Sequence, residues 1–157
     1  MKLFFKSFII FMMSLCLSAC APKRNDYSEF SSIDAKGWAY GDTISFTVTH
    51  ADSIASGDLI LSLRHTDEYL YSNLWLLVSY TDDQNHRFND KININLADVY
   101  GNWTGKGTGI SFQKQIVVKK GLRHVSGQQV KVAHIMRTDT LGGIELLGID
   151  FVSLDKE

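Results

Sequence analysis

The residues whose spacing most directly predicts chemistry are Leu17-Ser18-Ala19-Cys20. They follow a short apolar run from Phe8 to Leu15, which comes after a basic start at Lys2 and Lys6. A basic start, an apolar stretch of this length and small residues before a cleavage point are typical of an export signal, which is too short to span a bilayer as a mature helix. Because a cysteine follows the small residues directly, we predict cleavage before Cys20 and attachment of lipid to its thiol and amine.

This prediction divides the chain into a lipoprotein signal peptide (1–19), a lipid-anchored tether (20–28) and a folded domain (29–157). The tether begins Ala21-Pro22-Lys23-Arg24 and contains the one proline of the chain, which is typical of a connecting segment rather than of a strand or helix. The covalent lipid on Cys20 anchors the protein to a membrane, and the sequence predicts no other cofactor.

The cysteine count and the net charge exclude several classes of function. Both cysteines, Cys16 and Cys20, lie in the signal region, so the folded domain has no thiol for a disulfide, a metal site or a nucleophile. The net charge is −1 at pH 7 and becomes about −3 once Lys2 and Lys6 are removed. With no basic stripe in the sequence, this balance argues against nucleic-acid binding.

No constellation of residues predicts an enzyme. The five histidines are far apart in the sequence and form no His-x-His or His-x-x-x-His pair, so we expect solvent-facing or hydrogen-bonded single histidines and no metal site. The acidic pairs Asp67-Glu68 and Asp82-Asp83 are expected to be solvated turn charges. The glycine-rich segment 101–109 lacks the Ser or Thr that follows the lysine of a phosphate-binding loop, and is expected to be a turn before the next strand.

Alternating apolar and polar residues predict strands along most of the chain. The predicted strands cover Thr43–Thr49, Leu59–Leu63, Leu74–Val78, Ile92–Leu96, Ile110–Val118, Val130–Met136 and Ile144–Val152. Turns are predicted at Tyr40-Gly41-Asp42, Ser56-Gly57-Asp58, Lys120-Gly121 and Leu141-Gly142-Gly143. About seven or eight strands and no long amphipathic helix predict an all-β domain, a two-sheet antiparallel sandwich of jelly-roll type, with a closed small barrel as the alternative.

The segment from Arg64 to Asn73 forms a predicted corner between two strands, with Tyr69 and Tyr71 in its loop. The guanidinium group of an arginine carries five donors in a plane and can brace such a corner through hydrogen bonds. The same residue types, if exposed, are favoured in protein interfaces. The sequence favours the brace only slightly and leaves the contact surface open.

The three tryptophans, Trp38, Trp75 and Trp103, leave a second function open. Exposed on a concave face, Trp38 or Trp103 would stack on sugar rings, as in a glycan- or peptidoglycan-binding module. Packed in the core, they would only stabilise the fold.

Several short motifs, read in order, resemble one protein family. They are Arg64, Tyr69-Leu70-Tyr71-Ser72-Asn73-Leu74-Trp75, the run Gly101-Asn102-Trp103-Thr104-Gly105-Lys106-Gly107, then Met136-Arg137, Gly143-Ile144 and Leu147-Gly148-Ile149. Over roughly residues 30–152, and with its lipoprotein signal, the chain resembles the GldH-type gliding-motility lipoproteins of Bacteroidetes. It departs from the family pattern at the polar Thr104 and in 121–129, which lacks an expected aromatic residue.

The resemblance implies a non-enzymatic outer-membrane lipoprotein, an accessory component of a gliding apparatus that shares parts with the type IX secretion system. It implies partners among the envelope proteins of that apparatus, a lipidated Cys20, and no catalytic residue. Signature positions of unknown role, candidates for partner binding or structure, are Arg64, Tyr69, Tyr71, Asn73, Trp103 and Arg137. Surface-exposed lipoproteins of these bacteria tend to carry acidic residues after the cysteine, so the basic Lys23-Arg24 favours a domain facing the periplasm.

Overall fold

The computed structural model describes residues 27–154, so the predicted signal peptide, Cys20 and most of the predicted tether lie outside the described residues. Within that range the chain forms strands and turns, and no helix there could span a membrane. The strands are β1 (Tyr27–Ser32), β2 (Trp38–Ala39), β3 (Thr43–Thr47), β4 (Ile54–Thr66), β5 (Asn73–Thr81), β6 (Arg87–Asn95), β7 (Lys106–Thr108), β8 (Ser111–Val125), β9 (Gln129–His134), β10 (Thr140–Leu141) and β11 (Ile144–Ser153).

The strands form two main sheets, and every pairing is antiparallel. One sheet has the order β1-β11-β4-β8-β7 and the other has the order β3-β9-β5-β6, while β10 and β2 form a short ribbon. The prediction of an all-β sandwich is confirmed. Each of the seven predicted strands overlaps a strand of the structure.

The core lies between the two sheets because each strand directs alternate side chains inward. In β4 the inward residues Leu59, Leu61 and Leu63 are almost fully buried, and β5 contributes Leu74 and Leu76 from the opposite sheet. With no thiol in the described residues, burial of this apolar surface and the strand pairing hold the domain together.

Two predicted turns are wrong, because Ser56-Gly57-Asp58 and Lys120-Gly121 lie inside the long strands β4 and β8. The register of this strand pair shifts between Gly57 and Leu59, as at a β-bulge. A side chain at Gly57 would approach the Phe151 ring and the Val152 carbonyl oxygen to about 2.7 Å. The glycine therefore permits close packing of strands rather than a reversal of the chain.

The first strand begins at Tyr27, inside the range predicted as tether, and pairs with β11 from Tyr27↔Phe151 to Ser32↔Leu146. Its residues alternate poorly in hydrophobicity, so the pattern gave no signal for a strand. The short strands β2, β7 and β10 have two or three residues each, which is too few for any alternation to be recognised.

His65 and His134 are buried single histidines that hydrogen-bond backbone carbonyls, as expected, but His50 and His124 form a pair that the sequence did not predict. At one end of the sandwich the Nε2 atom of His50 lies 3.3 Å from the Nδ1 atom of the buried His124. Both rings of this pair lie against Phe151. Burial, and secondarily the neighbouring His50, lowers the pKa of His124 to about 4.

We predict that this pair makes the fold sensitive to acid. Below the ordinary histidine pKa of 6.5, His124 is protonated in the unfolded chain. In the folded chain it stays neutral until the pH falls to about 4. The free energy of unfolding should therefore be highest above pH 6.5 and fall by about 2 kcal/mol between pH 6.5 and pH 4. Urea unfolding across this pH range measures the fall.

The matched variant is His124→Leu, which removes the buried imidazole and should flatten the slope. An equal slope in wild type and His124→Leu would contradict the prediction.

Candidate functional site

The predicted signature residues gather mainly at one end of the sandwich, which we call the loop end. It comprises the β4–β5 connection (67–72), the β6–β7 connection (96–105), the β7–β8 turn (109–110) and the start of β11. Backbone hydrogen bonds join the connections: the Ser72 carbonyl accepts from Leu96 N at 2.8 Å, and the Ile110 carbonyl accepts from Asp67 N at 2.9 Å. The loop end is therefore a fixed surface rather than a set of independent loops.

Tyr69 braces the β4–β5 connection from within. Its ring is buried, and its hydroxyl donates a hydrogen bond of 2.9 Å to the carbonyl oxygen of Asn73, the first residue of β5. Burial raises the pKa of the Tyr69 hydroxyl, so this group keeps its proton as a donor. Tyr69 therefore fixes both the shape of the loop and the place where β5 begins.

An aromatic cluster supports this brace. The buried His65 ring lies 4.7 Å from the ring of the half-buried Trp103, edge to face, and 5.6 Å from the stacked ring of Phe112. The Trp103 and Tyr69 rings are 6.4 Å apart. The Nδ1 atom of His65 bonds the Thr66 carbonyl at 2.9 Å, and burial lowers the pKa of this histidine. A neutral imidazole thus serves here as a packing ring.

Gly143 allows the chain before β11 to pass directly over the brace. Its φ is +79°, in the left-handed region, and a Cβ atom there would lie 2.7 Å from Cα of Tyr69. The Gly143 carbonyl also accepts a hydrogen bond from Thr66 N at 2.8 Å. Both the backbone angle and the close approach require glycine at this signature position.

The hydroxyl of Thr104, a residue at which the chain departs from the family pattern, forms two hydrogen bonds. This hydroxyl accepts a hydrogen bond of 2.7 Å from Lys114 Nζ and donates one of 3.1 Å to the Leu96 carbonyl. The polar residue thus ties the β6–β7 connection to β8.

Arg64 does not brace the corner, so that interpretation of the sequence is wrong. Its side chain is exposed and forms no hydrogen bond or ion pair with any residue in 27–154. The strand register explains why: neighbouring residues Leu63 and His65 point into the core, so Arg64 points to the solvent face of its sheet. The brace is made by Tyr69 alone among the signature side chains.

Beside the brace, two other signature residues line one shallow groove. Tyr71 and Arg137 lie there with Trp75, Ile135 and Met136. Trp75 is 40% exposed and Tyr71 is 38% exposed, which is unusual for such large rings. The Trp75 backbone is fixed from both sides, since its N–H donates to Met136 Sδ at 3.3 Å and its carbonyl accepts from Ile135 N at 3.0 Å.

Trp, Tyr, Met and Arg are residue types enriched at the centres of protein interfaces, and the aromatic and Arg types dominate binding energy there. Trp75 lies on β5, Tyr71 in the connection that Tyr69 braces, and Ile135, Met136 and Arg137 in the connection that follows β9. We call these five residues the aromatic groove.

The tryptophans proposed for sugar stacking are not both available. Trp38 is only 3% exposed, and its Nε1 donates to the Asp42 carbonyl at 3.0 Å, so it belongs to the core. Trp103 is half-buried against His65. Trp75, in the predicted strand Leu74–Val78, is the tryptophan whose ring is more exposed, at 40%.

The described residues contain no group of three or more His, Asp or Glu side chains able to hold a metal ion. Asp82 and Asp83, expected to be solvated, are instead paired with His86 at 3.0 Å and Arg123 at 2.8 Å. Trp75, Met136 and the packing role of His65 were not foreseen. One feature of the sequence could have indicated the groove: Trp75 is an apolar residue on the outward face of β5. It pairs there with the polar Asn93 of the edge strand β6.

Comparison with known proteins gives matches over most of the chain. The model of the GldH lipoprotein family matches residues 25–151. A gliding motility lipoprotein GldH homolog of Christiangramia forsetii is 26% identical over 81% of this chain and 77% of its own length. The gliding motility lipoprotein GldH of Flavobacterium johnsoniae is 22% identical over 88% of this chain and 87% of its own.

Among solved structures, the VP2 subviral particle of infectious bursal disease virus matches 85% of this chain with a TM-score of 0.30 and 13% identity. The chain spans about a third of that protein, 34%.

We predict that Tyr69→Phe lowers the free energy of unfolding by about 1 kcal/mol, because the partly buried hydrogen bond to the Asn73 carbonyl is lost while the ring is kept. Urea denaturation measures this loss. The matched control is Tyr71→Phe, whose exposed hydroxyl has no hydrogen-bond partner among the described residues and whose removal should change stability little. Equal losses in the two variants would show that the hydroxyl of Tyr69 is not the brace.

Proposed function

Because this chain belongs to the GldH lipoprotein family, we propose that it acts as a non-enzymatic accessory subunit of an envelope machine for gliding and type IX secretion, and that it binds a protein partner there. Family membership makes it a gliding-related lipoprotein. The observation that carries the finer proposal is the aromatic groove, in which the signature residues Tyr71 and Arg137 meet the exposed Trp75.

The lipid anchor is the second part of the proposal. We place it on Cys20, on the outer membrane, with the domain facing the periplasm because Lys23-Arg24 follows the cysteine. Two or more acyl chains hold a protein on a membrane where one chain does not. Confinement to the membrane raises the effective concentration of the domain near a membrane-bound partner, so that a groove of modest area suffices.

The test is cross-linking in the native host, followed by purification of the tagged full-length protein and mass spectrometry of what is joined to it. We expect components of the motility or type IX secretion machinery, lost in Cys20→Ser and reduced at least tenfold in Trp75→Ala. The matched control is Val117→Ala, which removes an equally exposed apolar side chain (44%) from the other sheet and should keep the partner.

Two results would contradict the proposal. Bulk envelope proteins alone, unchanged by Trp75→Ala, would show that the groove selects no partner. Polysaccharide retained on the protein, and lost in Trp75→Ala, would instead favour the glycan- or peptidoglycan-binding alternative through this same ring.

A further inference from the structure

The large apolar side chains with the highest exposed fractions lie at the loop end. Leu70 is 86% exposed, Val99 92%, Tyr100 87% and Ile110 68%. They lie in three connections that backbone hydrogen bonds join, and we call these four residues the apolar tip. Isolated apolar residues are common on protein surfaces, but four large ones brought to one end of a domain mark a surface that another molecule covers.

Hydrogen bonds to the Asp98 side chain fix the turn that carries Val99 and Tyr100. The Asp98 side chain accepts hydrogen bonds of 2.9 Å from Tyr100 N and of 2.9 Å from Asn102 N, and Gly101 closes the turn with a φ of +85°. A hydrogen bond of 3.1 Å from the Asn102 side-chain amide, and then these backbone bonds, lower the pKa of the Asp98 carboxyl, so the carboxylate is charged at neutral pH. Val99 and Tyr100 are therefore presented to solvent by a closed turn, and their conformational entropy is already reduced before binding.

The described chain begins at Tyr27, well away from the loop end. Tyr27 lies in register with Phe151, and Phe151 with Leu59, near the middle of β4. The apolar tip follows the end of that strand at Thr66, roughly 23 Å further along at about 3.3 Å per residue. A membrane anchor attached before Tyr27 thus places the tip on the side of the domain that faces away from the attachment point.

The charges beside the tip indicate what covers it. Asp67 and Glu68 are exposed in the same connection as Leu70, and Asp98 adjoins Val99. Three carboxylates would be repelled by an anionic lipid surface, which attracts basic segments instead. A protein that presents apolar side chains flanked by lysine or arginine complements both the apolar residues and the charge.

We propose that the apolar tip is a docking surface for a protein partner with a basic-apolar patch, located on the side of the domain remote from the lipid anchor. The inference rests on the proposed function and specifies where in the assembly that partner lies. It shares no residue with the aromatic groove, although Leu70 directly precedes Tyr71, so cross-linkers at different positions test the two surfaces.

The test places a photo-cross-linking amino acid at Tyr100 in the full-length protein in its native host. We expect a product with one other protein, reduced at least tenfold by Leu70→Ser with Val99→Ser, and similarly by Asp67→Lys with Glu68→Lys. The matched control position is Ile54, an exposed apolar residue (43%) at the far end of β4, where this product should be absent. Serine at the tip positions should leave the melting temperature unchanged, because their side chains are solvated already.

A product with a second copy of this chain, a product with lipid, an equal yield from position 54, or no product at all would each overturn the inference. A cross-linker at the exposed Asn93, which lies opposite Trp75 on β6 and leaves the groove residues intact, separates this failure from that of the proposed function. If the machinery is captured from position 93 and not from 100, the tip is wrong and the proposed function stands; if it is captured from neither, both are wrong.

Discussion

Strand β4 is the constraint on which the rest of the structure depends. It pairs with β11 on one side and with β8 on the other along almost its entire length. Its alternate residues Leu59, Leu61 and Leu63 form one side of the core. Its last two residues, His65 and Thr66, lie at the loop end. A shift of one residue would send these leucines to solvent and His65 away from Trp103, so the register of β4 fixes the core and the site together.

The main strands could be read from the sequence because each buries one face, and burial imposes the period of two. Turn signals were less informative. Glycine at Tyr40-Gly41-Asp42 marks a true turn, whereas Gly57 and Gly121 lie within strands, because glycine also serves close packing and bulges. Glycine alone therefore cannot distinguish a turn from a close contact or bulge within a strand.

The site was only partly readable for a related reason. Tyr69, Tyr71 and Asn73 were identified from their order along the chain, but their partners come from distant segments: Trp103 packs near Tyr69, Met136 lines the groove with Tyr71, and the Asn93 side chain accepts a hydrogen bond from that of Asn73. The alternation of Leu59, Leu61 and Leu63 already places Arg64 on the opposite face of β4, whereas Tyr69 lies beyond the end of that strand at Thr66, where no alternation indicates which way its side chain points. Side-chain direction beyond a strand end is settled by tertiary packing, which a pattern of residue types does not contain.

The pairing of β1 with β11 has a mechanical consequence. β1 begins seven residues after the predicted anchor at Cys20 and runs toward the loop end, and it is joined to β11 by six antiparallel residue pairs. A force applied between Tyr27 and the loop end would act parallel to these strands. It would therefore shear all the hydrogen bonds of β1 at once instead of opening them one after another from an end. An edge strand that separates easily under a sideways force would resist separation under a force in this direction.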